Sequence, residues 1–200
     1  MSVTETTETR PGPKRPIEIP VPGTDYRLVQ FTEQDAPAIY KFNGDNIEYI
    51  AANNPYARSR HTTVDELRES IVNPDTQTKH RLRFSIKTKD NEIVGTIYIN
   101  PDMQDPKSAQ IGFSRGKKYD HMGIGETATR TLTQYAFEEL HYDMVYGWVQ
   151  SDHTGSIRVF ERNGYRIAHV GKEGEDNKGK ILFIKDRKMY LKEVQARQQA

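Results

Sequence analysis

The sequence predicts an α/β (α+β) domain built on a mixed, mostly antiparallel twisted sheet of about seven strands with four helices. Three β-like runs, Arg81 to Thr88, Glu92 to Asn100 and Ser108 to Arg115, follow one another across turn-rich links, so the middle of the chain reads as a meander. Directly after it, Ala128, Leu132, Ala136 and Leu140 recur at helical spacing. The next run, Met144 to Gln150, is apolar at nearly every position, as expected of a strand covered on both faces.

Residues 1–24 are rich in Pro, Thr and Glu, and an extended or disordered arm is expected there, ahead of a domain over residues 25–192 and a polar tail at 193–200. Tyr26 to Phe31 reads as the first strand. Thr32, with Asp35 three residues on and Pro37 in the first turn, starts a helix to about Phe42. Asn43 to His61 is polar and reads as a loop long enough to shape a pocket, in which Asp45, Glu48, Tyr49 and Tyr56 are candidates to line an acceptor site. Thr63 and Glu66 form a capping box ahead of Leu67 and Ile71. Past the Met144 strand, Asp152 or Thr154 caps a short helix through Arg162, and Gly164 is its left-handed stop. Two strands, Tyr165 to Val170 and Ile181 to Leu191, close the chain.

Composition narrows the function classes. Lys and Arg number 29 against 28 Asp and Glu, so no global field points to nucleic acid or an anionic membrane. The absence of cysteine removes disulfides, thiolate metal sites and a Cys nucleophile, and no metal is expected. No run approaches the ~20 apolar residues of a membrane span. A cytoplasmic protein, monomer or homodimer, is expected.

The segment that carries chemistry is Asp120-His121-Met122-Gly123-Ile124-Gly125-Glu126-Thr127. A glycine-bearing loop feeding a helix presents backbone N–H groups without intrahelical partners and about half a positive charge from the macrodipole, which suits a phosphate or diphosphate. The plain alternative is a helix start with a glycine-rich entry turn. Gly123 to Ala128 also matches the dinucleotide fingerprint Gly-x-Gly-x-x-Ala, with Asp152 downstream as a ribose ligand. Context opposes that match: six residues, Lys117 to Met122, separate the strand from the first glycine, and a meander precedes it. No Gly-x-x-x-x-Gly-Lys phosphate loop is present.

The element order resembles the GNAT family of N-acetyltransferases over about Tyr26 to Leu191. Asp120 to Gly125 falls on that family's signature Gln/Arg-x-x-Gly-x-Gly/Ala. Ile111 to Arg115 and Ser156-Ile157-Arg158-Val159-Phe160-Glu161-Arg162-Asn163-Gly164-Tyr165 are similar to the branch that acetylates ribosomal-protein N-termini. The resemblance implies splayed central strands forming an acyl-CoA cleft, acetyl-CoA as the cosubstrate, and a primary amine on a protein N-terminus or small molecule as acceptor. It also implies cofactor contacts from Phe113, Ser114 and Arg115, from the loop His121, Met122, Gly123, Ile124, Gly125, Glu126 and Thr127, and from His153.

Two positions depart from the family pattern. Asp120 replaces Gln or Arg, and a carboxylate beside a diphosphate is unfavourable, so Asp120→Arg is expected to tighten acetyl-CoA binding. His153 replaces a common Asn. The Tyr that protonates the leaving thiolate in many members corresponds to Phe160, which leaves Ser156 as the candidate donor. Asp152, His153 and His121 are the candidate bases, with water as the alternative. These departures also motivate a rival reading, a non-catalytic acyl-CoA-binding regulatory module.

Overall fold

The computed structural model describes residues 15–52, 58, 63–74 and 80–199, and within them one sheet of eight strands runs in the order β1-β2-β3-β4-β5-β6-β8-β7. The strands are β1 (Glu18–Pro20), β2 (Arg27–Gln30), β3 (Leu82–Lys87), β4 (Ile93–Pro101), β5 (Ser108–Arg115), β6 (Met144–Gln150), β7 (Arg166–Val170) and β8 (Lys180–Asp186). The helices are α1 (Ala36–Asp45), α2 (Ile47–Ala51), α3 (Val64–Val72), α4 (Ile124–Glu138), α5 (Thr154–Arg162) and α6 (Arg187–Gln198). The expected mixed, mostly antiparallel sheet is present, with one more strand and two more helices than the sequence pattern indicates.

One pairing positions the site. Among the described residues β5 and β6 are the only parallel neighbours, and they pair just at Ser108, Ala109 and Gln110 against Met144, Val145 and Tyr146. Beyond that point β5 stays with β4 as far as Arg115, opposite Gly95, while β6 stays with β8 as far as Gln150, opposite Lys180. Each strand therefore turns an unpaired edge toward the other across a widening gap. Such edges retain hydrogen-bonding groups that need a partner.

The apolar stripe of α4 behaves as its spacing dictates: Ala128, Leu132 and Ala136 are fully buried against the sheet, with Phe137 behind them. Thr63 accepts the Glu66 amide at 3.1 Å and starts α3. Thr32 and Asp35 close a capping box around a short 3-10 turn leading into α1. A smaller apolar cluster of Ala36, Ile39 and Leu67 joins α1 to α3.

Three differences from the sequence reading have local causes. Within the stretch expected as an arm, Glu18–Pro20 is an edge strand on β2, and Val21 beside it is 2% exposed. The polar stretch after Asn43 holds the short helix α2, and Tyr56 lies outside the described residues. The last strand stops at Asp186, not Leu191, because the Asp186 carboxylate accepts the Met189 amide at 2.8 Å and starts α6. Most of the expected polar tail is therefore helix, and Tyr190 and Val194, one turn apart, pack on the core. Tyr190 stacks on Phe137 with ring centroids 5.0 Å apart, and Lys185 beneath α6 bonds Glu193 at 2.7 Å.

Candidate active site

The β5–β6 gap opens into a cleft of about 300 Å³. On the α4 and α5 face its walls are Phe113, Arg115, Val149, His153, Ser156 and Phe160. On the opposite face they come from Thr96 and Tyr98 of β4, Ser114 of β5, Trp148 and Gln150 of β6, Lys180 of β8 and Tyr49 of α2. Gly147 lets α5 come close, since an added Cβ would lie 2.3 Å from the Phe160 ring.

The loop before α4 is preformed. Gly123 has φ 73°, a left-handed conformation that favours glycine, and it is the N-terminal flanking residue of the helix. Gly125 has a different reason to be glycine: an added Cβ would sit 2.8 Å from Phe113 Cε2, so the α4 start is packed onto β5. The first backbone bond of α4 runs from the Thr127 amide to the Gly123 carbonyl at 3.0 Å, and the His121 amide donates to Asp120 Oδ1 at 2.9 Å. Thr127 and His121 therefore do not offer free amides. Those of Met122, Gly123, Ile124, Gly125 and Glu126 remain for an anion.

Asp120 does not face the loop as a bare charge. Arg115 donates to its Oδ1 from Nε at 3.1 Å and from Nη2 as well. Burial pushes the Asp120 carboxyl up, but hydrogen bonds from Arg115, Tyr49 and the His121 amide, with the Arg115 charge, outweigh it and hold its pKa at about 2. The departure from the family pattern is thus compensated inside the chain. Tyr49 carries its proton to higher pH than usual, through burial and its bond to Asp120. The Arg115 guanidinium also lies 5.8 Å from the centre of the Tyr49 ring. These contacts tie α2, on one face of the sheet, to the loop on the other.

The remaining candidates divide. His153 flanks the start of α5 and faces the cleft with Ser156 and Phe160. Burial lowers its pKa and the Arg115 charge lowers it further, against smaller opposing effects of Asp152 and Asp120, so its imidazole is neutral near pH 7. A methyl group added at Gly155 would lie 3.8 Å from Arg115 Nη2 and 3.9 Å from His153 Nε2, which brings those two groups to one spot. Asp152 is exposed and does not line the cleft. The His121 side chain is 94% exposed and Met122 is 57% exposed, so His121 projects into solvent and not at the cleft. The Glu126 carboxylate turns to Arg130 at 2.8 Å and Arg162 at 3.2 Å. On the acceptor side, Asp45 pairs with Lys41 and Glu48 with Arg58 at the surface, whereas Tyr49 reaches the cleft. The sequence reading did not identify Tyr98, Trp148, Gln150 and Lys180 as site residues; the only signal for them was alternation along strands whose pairing was not yet known.

A slot between two strand edges, with the α4 N-terminus packed on its Phe113 wall, has the shape and hydrogen-bonding groups that suit an acyl-CoA. Residues 26–166 match the family model described as acetyltransferase (GNAT) domain, and the chain belongs to that family. It is 26% identical over 126 residues to an uncharacterized N-acetyltransferase, p20, of Bacillus licheniformis, covering 62% of this chain and 71% of that protein. The fold is similar to RimL, a ribosomal L7/L12 alpha-N-protein acetyltransferase solved with coenzyme A (TM-score 0.74, 18% identity, 85% of this chain and 98% of that one). It is also similar to Mycobacterium smegmatis RimJ with a CoA-disulfide (TM-score 0.72, 20% identity, 86% and 87%). The protein is an N-acetyltransferase, and acetyl-CoA is the cosubstrate of its family. The residues present fit that cosubstrate: strand edges unpaired among the described residues suit an amide-bearing arm, and five amides at the α4 start that have no partner among those residues suit a diphosphate.

Proposed function

We propose that the protein transfers the acetyl group of acetyl-CoA directly to a primary amine, of a protein N-terminus or a small molecule, that enters from the Tyr98 and Trp148 face. The observation that carries this reading is the through-sheet cleft, with the amide-rich α4 start on one side and an aromatic wall on the other. In the reaction the amine nitrogen bonds to the thioester carbonyl carbon, the C–S bond breaks, the amine gives up a proton, and the thiolate takes one. Acetyl-CoA supplies the activated acyl group. Met122 to Glu126 hold its diphosphate through backbone amides, and the free edge of β5 aligns the acyl arm. Neutral His153, directly or through water, accepts the amine proton, and the Ser156 hydroxyl gives a proton to the thiolate in the place Phe160 cannot fill.

Thiol release from acetyl-CoA with peptides bearing a free N-terminus and with simple primary amines tests the reading. Turnover with at least one of these acceptors is expected, and Ser156→Ala should lower kcat by about a hundredfold with little change in acetyl-CoA affinity. Tight CoA binding without thiol release to any amine would overturn the transfer reading, and an unchanged kcat would remove Ser156 from it.

A further inference from the structure

The acceptor face of the cleft has a definite charge character. Gln150 and Lys180 are cross-strand partners, as are Trp148 and Leu182, so these four side chains share the sheet face opposite Phe160. Lys180 lines the cleft, and among the described residues its ammonium has no ion pair or hydrogen bond. The other cation of the lining, Arg115, is matched by Asp120. No carboxylate lines the cleft among the described residues. The nearby acids are engaged elsewhere: Asp102 accepts the Tyr146 hydroxyl at 2.7 Å, and Asp45 and Glu48 pair at the surface. A polycationic acceptor would meet one unmatched positive charge and no compensating negative one. An acceptor with a carboxylate close to its amine would give Lys180 the partner that the fold withholds.

We infer that the acceptor is a primary amine with a carboxylate beside it, that Lys180 reads this carboxylate, and that polyamines are poor acceptors. This rests on the acetyl-transfer reading and adds the substrate class to it. The carboxylate belongs either to an acidic side chain next to a peptide N-terminus or to a free acidic amino acid; the chemistry at Lys180 is the same. Tyr98 and Trp148 flank the approach and supply apolar contact for the segment that carries the charge.

The test compares kcat/KM by thiol release for three peptides identical except at their second and third residues, Glu-Glu, Gln-Gln or Lys-Lys, together with free glutamate and spermidine. The expected order is acidic, neutral, basic, with about tenfold between the extremes, as one partly screened charge contact supplies. Lys180→Gln should bring the acidic-to-basic ratio close to one, Lys180→Glu should invert it, and added salt should narrow it in the native protein. Turnover of glutamate above all three peptides would identify the small acid as the source of the carboxylate and support the inference. A ratio near one in the native protein, a ratio unmoved by both substitutions in proteins that melt normally, or spermidine as the best acceptor would overturn the inference while leaving acetyl transfer intact. Absence of thiol release with every amine would take down both.

Discussion

The two sides of the cleft differ in how completely their charges are matched. On the α4 side, Arg115, Asp120 and Glu126 are all paired within the chain, and five backbone amides at the helix start have no partner among the described residues. On the opposite side, Tyr49, Tyr98 and Trp148 form an aromatic wall, and Lys180 stands beside it without a counter-charge among the described residues. The first arrangement is complete before the ligand arrives, so binding there requires little reordering. The second lacks a counter-charge for Lys180 among the described residues, and in the proposed reading that missing charge sets selectivity. In the proposed reaction the α4 side would always receive the same cosubstrate and is built rigid and neutralised, whereas the proposed acceptor side would discriminate through what it leaves unpaired.

The largest expected effect comes from breaking the preformed side. Gly125→Trp forces a side chain into the space of the Phe113 ring, where even a Cβ would stand at 2.8 Å. Overpacking of this kind costs up to about 3 kcal/mol, or roughly a hundredfold in affinity where the strain falls on the binding conformation. Calorimetric titration with CoA, beside a thermal melt, should show that loss; unaltered affinity would remove the α4 start as the diphosphate site.

Next comes Asp120→Arg, for which the structure reverses the expectation drawn from sequence. The substitution sets a guanidinium against Arg115 and leaves the His121 amide without its acceptor, so acetyl-CoA binding should weaken by about tenfold. Tighter binding in calorimetry would show that the pairing with Arg115 contributes nothing to the loop. In the native protein the Asp120 pairing is fully present above the unfolded carboxylate value near 3.9 and is lost only as pH falls through about 2, so it leaves CoA affinity level across neutral pH.

The smallest effect concerns His153, which lies where the two sides meet. Its folded pKa is below its ordinary 6.5, so the unfolded chain binds more protons in that region, and stability falls as pH drops below about 6.5. The acid limb of the kcat/KM profile should accordingly have its midpoint below about 6.5. His153→Gln should lower the neutral-pH rate severalfold and remove that limb. An acid limb of unchanged midpoint in the variant would assign the proton to water or another group.

Local signals carried much of the fold. The caps at Thr32 and Thr63, the buried stripe of α4 and the apolar run of β6 were readable because each depends on residues a few positions apart. The start of α6 carried such a signal too, in Asp186, but Ile181 to Ile184 ahead of it reads as a strand that runs on. At the site, the glycine pair was legible as a loop entering a helix, whereas the left-handed turn fell to Gly123 and the reason for Gly125 lay in Phe113, on another element. Asp120 looked like a repulsive charge because nothing in the linear order showed that Arg115, five residues earlier on β5, would turn to meet it.

By itself the sequence determined the order of the elements from β2 to β8 apart from α2, the glycine-bearing loop that feeds α4 and the absence of thiol chemistry, all fixed by local periodicity and residue type. The tertiary structure alone decided where β5 leaves β6, which carboxylates are neutralised, and that Lys180 lines the cleft without a partner among the described residues. Those outcomes depend on strand register and on contacts between distant segments, which fix the face and the neighbours of each side chain.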